Sequence, residues 1–191
     1  MKSRTIIFVH IRKTAGISLR SLIKGRFSPE YYFKEKTPQH LRELPVTERK
    51  KLKFISGHAP YGLHKLLPQK CEYITLLREP TDRIISLYKH LLRKGQDITF
   101  RELIESEKNN QVLMFGTNFN EAKKRLDEFA FVGITERFDE SVVVFRKKFG
   151  LKRMHYTKKE NVGKEKAKID SADLEYFKKI NTDGYKIYQI D

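Results

Sequence analysis

The stretch that decides the fold is FVHIRKTAGISLRSLI, residues 8–23. An apolar run ends at His10, a short turn of basic and small residues follows, and an apolar pattern resumes at helical spacing with Ile17, Leu19, Leu22 and Ile23. Residues 5–10 therefore read as a buried strand and residues 17–24 as a helix. A strand that ends in small residues and enters a helix aims several backbone N–H groups at one point, and the helix start adds partial positive charge. Lys13 adds a full charge, and Thr14 and Ser18 add hydroxyl donors. In physical terms this is a cradle for a phosphate or a sulfate. It is not the G-x-x-x-x-G-K-[ST] loop, because Lys13 precedes Gly16 and the first glycine is missing. Taken alone, the stretch is accounted for equally well by an ordinary turn whose lysine points to solvent.

The same pattern recurs outward from it. Residues 54–57, 73–77 and 131–135 are short apolar runs that read as strands. Pro80 opens a helix through residue 93, with Ile84, Ile85, Leu87, Leu91 and Leu92 apolar. A further helix is expected over residues 139–149. A capped helix should start at Ser171, followed by a turn at Asp183-Gly184 and a last short helix. Strand runs alternating with helices predict an α/β fold, a mainly parallel central sheet covered by helices on both faces. In such sheets ligands sit beyond the carboxyl ends of the strands. Residues 27–53 mix Pro, Lys, Glu and aromatics and read as a short helical excursion or a loop over the site. Residues 158–168, KKENVGKEKAK, read as a mobile, solvated surface loop.

Length and charge set the bounds. The 191 residues fit one domain, and 39% apolar residues are enough for a core. Forty Lys and Arg against twenty-four Asp and Glu leave a net charge of +16, a field that attracts anions. The single cysteine, Cys71, permits no internal disulfide and suits a reducing compartment. The apolar run near the start is too short for a signal peptide or a membrane span, so a soluble cytoplasmic protein with no transmembrane segment is expected.

Two further stretches carry chemistry. In ISGHAPYGLH, residues 55–64, His58 stands just past a strand, on the ligand side of the sheet, where a histidine can serve as general base. The competing reading is a histidine that only makes structural hydrogen bonds. In YITLLREPTDRIISLYKHL, residues 73–91, Arg78 emerges at a strand end and Ser86 follows about two helical turns on. An arginine and a hydroxyl so placed can grip a second phosphate. A surface ion pair is the plainer reading of Arg78, and a structural pairing role is expected for Arg83. Tyr61, His64, Lys65, Tyr88 and His90 lie near these stretches and could face an acceptor.

Together HIRKTAGIS, ISGHAPYG and LREPTDRIISLY resemble the 5′-phosphosulfate loop, the catalytic-histidine segment and the 3′-phosphate site of the sulfotransferases. The likeness is to the heparan sulfate 2-O-sulfotransferase-like and carbohydrate branch. Weaker likenesses at FVGITERFDES and DGYKIYQID extend it over most of the chain. The resemblance implies a P-loop-like three-layer sandwich and the donor 3′-phosphoadenosine 5′-phosphosulfate, leaving 3′,5′-adenosine bisphosphate as product. It implies that Lys13 contacts the donor's phosphosulfate, that Thr14, Ala15, Gly16, Ile17 and Ser18 hold its 5′-phosphate, that His58 is the base, and that Arg78 and Ser86 grip the 3′-phosphate. Two departures stand out. Arg12 occupies a position where the family usually has Pro, adding a charge beside the loop, and Ile17 stands where the family often has Thr or Ser.

The expected reaction is in-line transfer of a sulfuryl group to an acceptor hydroxyl on a carbohydrate. His58 takes the proton, and Lys13 stabilises the leaving phosphate oxygen. No metal is required, and neither an acidic cluster nor a Cys/His set with zinc spacing is present. A nucleotide-dependent kinase with an atypical loop is one rival, and it needs Mg²⁺ and suitably placed acids. A non-enzymatic polyanion binder is the other. The basic residues are interleaved with acids along the chain, and no nucleic-acid motif is present. The sequence sets neither the oligomeric state nor the identity of the acceptor.

Overall fold

The computed structural model describes residues 4–24, 32–34, 38–151 and 169–190. Among them, five strands form one sheet: β1 (Thr5–Val9), β2 (Tyr32–Lys34), β3 (Phe54–Gly57), β4 (Cys71–Leu77) and β5 (Phe131–Ile134). Their spatial order is β2-β3-β1-β4-β5, and every pairing is parallel. Parallel strands covered on both faces read as unbroken apolar runs, and all five residues of β1 are buried. Thr5, the polar member, donates its hydroxyl to the Leu52 carbonyl at 2.7 Å.

Alternation along β1 divides the core. Ile7 and Val9 join Ile55, Tyr73 and Leu77 on one face, against Phe115, Leu126, Phe129 and Ile187. Ile6 and Phe8 join Phe54, Ile74 and Leu76 on the other. That second face is covered by α1 (Gly16–Lys24), through Leu19 and Ile23, and by α8 (Phe138–Lys148), through Phe138, Val142 and Phe145. The first face is covered by α2 (Pro38–Glu43), α6 (Asn110–Leu113), α7 (Phe119–Asp127) and α10 (Thr182–Tyr188). A third apolar cluster joins α4 (Pro80–Arg93), α5 (Phe100–Ser106) and α9 (Ser171–Ile180) through Leu87, Leu103, Ile104 and Phe177. The expected three-layer sandwich is thus observed.

The local signals act as their chemistry predicts. Pro80 opens α4, where Glu79 accepts from the Asp82 N–H at 2.6 Å. Thr99 and Glu102 form a reciprocal capping box at the start of α5. Three further segments bear on the sequence reading. The described part of residues 27–53 holds two short helices, α2 and α3 (Val46–Lys51), as the helical alternative has it, together with the strand β2, which the sequence reading does not include. The expected turn at Asp183-Gly184 is helical, inside α10. A β-carbon at Gly184 would lie 2.6 Å from the Asn181 side chain, so this glycine makes room for Asn181 rather than a bend. The loop expected at residues 158–168 lies outside the described residues.

Candidate active site

The strand order places the three chemical stretches side by side. β3, β1 and β4 are neighbours, and β1 is where the connections switch from one side of the sheet to the other. Ligand crevices of open α/β sheets lie at such points, beyond the strand carboxyl ends. His10 follows β1, His58 follows β3 and Arg78 follows β4, with Val9 in register with both Gly57 and Thr75.

The loop between β1 and α1 is wound unusually for its residues. Lys13 has φ 69° and Ala15 φ 57°, both in the left-handed region that costs an ordinary residue about 1–2 kcal/mol. Two ties hold it there. Thr14, fully buried, donates its hydroxyl to the Ile11 carbonyl at 2.9 Å, and Arg78 Nη1 donates to the Lys13 carbonyl at 3.1 Å. The Thr14 hydroxyl therefore faces inward as a lock rather than outward as a donor. Ala15 accepts from Ser18 and Leu19, which starts α1, and no acidic residue sits in the first turn. Gly16 and Ile17, as the first two helical residues, have no preceding turn to accept their N–H groups. That leaves a helix start whose partial positive charge no acidic residue of its first turn offsets.

Gly16 is required for space, not for conformational freedom. A β-carbon there would lie 1.9 Å from His10 Cδ2 and 2.1 Å from Nε2. The buried His10 ring lies flat against the Gly16 backbone, stacked on Phe8 at 5.3 Å and on His58 at 4.5 Å between centroids. His58 in turn contacts the His10 carbonyl through Nδ1 at 2.7 Å. A carbonyl oxygen only accepts, so Nδ1 carries a proton, which in a neutral ring puts the lone pair on Nε2. The imidazole of the exposed His58 is thus oriented through Nδ1 and by stacking.

Positive charge converges on the loop. Lys13 is half-buried, and burial first, then Arg93 and Arg78, lower its pKa from the usual lysine value. Ser86 is half-buried on α4, and His90 and Arg93 follow it at i+4 and i+7, on one helical stripe. Partial burial together with Lys13, Lys94, Arg93 and Arg12 lowers the His90 pKa below the usual imidazole value. Arg93 was missed by sequence reading, although its spacing from Ser86 carried the signal. Ile17 is 64% exposed at the helix start and offers only its backbone.

Arg12 and Arg83 share one carboxylate. Glu107 Oε1 accepts from Arg12 Nη2, and Glu107 Oε2 accepts from Arg83 Nη1 at 2.9 Å. Arg83 is 1% exposed and Glu107 3%, so the structural pairing expected for Arg83 is observed. Burial lowers the Arg83 pKa, and Glu107 opposes that shift. Of the other candidates, Tyr61 and His64 pack on Tyr73, and Tyr88 packs on Phe100. Among the described residues, no group of three His, Cys, Asp or Glu could hold a metal ion, and no helix is long and apolar enough to cross a membrane.

A family model described as "Sulfotransferase family" matches residues 2–190. The fold is similar to that of a sulfotransferase from Alicyclobacillus acidocaldarius, with a TM-score of 0.56 and 16% identity over 100% of this chain and 98% of that one. A mouse sulfotransferase, SULT7A1, solved in complex with PAP, is 15% identical with a TM-score of 0.48, over 94% of this chain and 64% of that one. No curated protein matches the sequence.

Proposed function

Because the chain belongs to the sulfotransferase family, we propose that it moves a sulfuryl group from 3′-phosphoadenosine 5′-phosphosulfate to an acceptor hydroxyl on a carbohydrate. The observation that carries this reading is His58, oriented by the His10 carbonyl at the end of a strand that neighbours the anion cradle at Lys13–Gly16. As the acceptor oxygen bonds to sulfur, its proton goes to His58 Nε2. The bond from sulfur to the bridging oxygen breaks, and the electron pair stays on the 5′-phosphate. Lys13 and the Gly16 and Ile17 N–H groups meet the charge that grows there. Ala15 and Ser18 belong to the same turn, and Arg12 adds a cation beside it. Arg78 and Ser86 take the 3′-phosphate.

The residues fit this donor. The cradle lacks the acidic residues that would repel an anion, and the β-carbon missing at Gly16 leaves His10 seated where His58 can stack on it. The carbohydrate acceptor follows the resemblance of the three motifs, and the +16 charge suits an anionic nucleotide donor. Cytoplasmic location is part of the same proposal, and the single thiol suits it.

Calorimetric titration tests the nucleotide half. Metal-free binding of 3′,5′-adenosine bisphosphate, tighter than binding of ATP with Mg²⁺, is expected. A preference for ATP with Mg²⁺ would replace this reading with a kinase. Turnover is then read with labelled donor against a panel of glycans.

A further inference from the structure

We infer that the five residues Glu107–Gln111 form a strap that sets both ends of the donor site, with Glu107 and Gln111 as its positioning residues; this rests on the donor reading above. Glu107 closes α5 and ties Arg12, next to Lys13 in the loop, to the buried Arg83 of α4. Four residues on, the side-chain amide of Gln111 clasps the peptide of Arg78 on both sides. Its Oε1 accepts from the Arg78 N–H at 3.0 Å, and its Nε2 donates to the Arg78 carbonyl at 2.8 Å. Gln111 thus acts as one more strand rung beyond the end of β4, and it is 2% exposed. Between the two, Asn109 takes a left-handed turn at φ 47°. Its N–H donates to Asn181 Oδ1 at 2.7 Å, and its own Oδ1 accepts from the Gly184 N–H at 3.1 Å. The strap is therefore bolted to α10 from behind while its two ends hold the 5′ side through Arg12 and the 3′ side through Arg78.

Stability alone does not call for this arrangement. A buried ion pair is often no more stabilising than apolar residues of similar volume. What the carboxylate and the amide supply is placement: a bidentate arginine contact is specific only when the arginine is held at the right distance.

The test uses Glu107→Gln and Gln111→Met, with 3′,5′-adenosine bisphosphate and adenosine 5′-monophosphate as calorimetric probes. Hydrogen exchange at amides 11–18 and at Arg78 is followed without nucleotide. Glu107→Gln should weaken both probes by one common factor, about 10–150-fold, the worth of a lost charge-assisted contact, and speed exchange in the loop. Gln111→Met should weaken the bisphosphate more than the monophosphate, shrinking its advantage, and speed exchange at Arg78. Arg12→Ala cuts the Glu107 tie from its exposed end and should match Glu107→Gln, which keeps the test decisive if the buried variant does not fold. Unchanged affinities with unchanged exchange would overturn the inference, as would a Gln111→Met protein that loses both probes equally. If the parent binds neither probe yet both variants loosen their own ends, the strap stands and the donor reading falls.

Discussion

Gly16→Ala is the sharpest probe of the site. The new methyl would sit 1.9 Å from His10 Cδ2, where carbon atoms ordinarily stay about 3.5 Å apart or more, so something must move by roughly 1.6 Å. His10 cannot absorb this easily, because it is buried and wedged between Phe8 and His58. Overpacking of this kind costs about 1–3 kcal/mol. For a chain of this size, each kcal/mol lowers the melting point by about 2–4 °C, so a fall of about 2–12 °C is expected. Either response to the clash harms the site. If the loop retreats, the Gly16 and Ile17 N–H groups leave the anion, and losing one hydrogen bond to a charged group, at about 1.5–3 kcal/mol, weakens binding about 10–150-fold. If the ring retreats, His58 loses its stacking partner and turnover falls instead. Thermal unfolding, bisphosphate titration and turnover with labelled donor separate the two. A Gly16→Ala protein with the parent's melting point, affinity and rate would refute the reasoning.

Other expectations are compact. His58→Ala should lower turnover about 10²–10⁴-fold while the bisphosphate dissociation constant stays within about 3-fold. Near-normal turnover would remove the base assignment. Arg78→Ala should weaken the bisphosphate about 10–150-fold and abolish its advantage over adenosine 5′-monophosphate; an unchanged ratio by titration would move the 3′-phosphate site elsewhere. Lys13 has its pKa lowered, so bisphosphate affinity should begin to fall with rising pH before an ordinary lysine would lose its proton, and Lys13→Arg should delay that fall. His64 accepts a hydrogen bond from the Tyr73 hydroxyl at 2.8 Å, and burial, Lys65 and Arg125 lower its pKa below 6.5. The unfolded chain then binds the extra proton first, so this contribution to stability is complete above about pH 6.5 and is lost as pH falls through the window below it. His64→Asn, which keeps an acceptor but cannot titrate, should flatten the acid side of the melting-point profile.

Much of the scaffold was legible because it rests on local signals. The apolar runs at β1, β3, β4 and β5 have no other reading in an α/β chain, and Pro80 announces α4. The site was legible as far as backbone logic reaches: His58 and Arg78 were read from their places just past strand ends. What sequence reading missed depends on partners distant along the chain. Glu107 looks like one more surface acid until Arg12 and Arg83 converge on it. Gln111 has no local reason to clasp Arg78. Thr14 turns inward because Lys13 and Ala15 are left-handed, and nothing in KTAG names a conformation that glycine would ordinarily supply. The stretch holding α5, α6 and α7 was readable in part, since T-x-x-E at Thr99–Glu102 is a capping signal. Gly184 shows the opposite failure, in which a glycine read as a bend serves to admit a neighbour's side chain.

The central place of β1 has a consequence for how the chain is born. Of the five strands, the one at the heart of the sheet comes first along the chain, yet its partners come later: Ile6 pairs with Phe54, 48 residues downstream, and Thr5 with Cys71, 66 residues downstream. At about 5–20 residues per second, a ribosome takes roughly 2–10 s to supply the first partner and roughly 3–13 s to supply the second. For that interval an apolar strand carrying the anion loop stands without its sheet. Every early pairing must close a long loop, which slows folding. The cradle thus cannot take shape until β3 and β4 have followed it, although its own residues precede both strands. Translation rate and holding chaperones should therefore influence the yield of this protein.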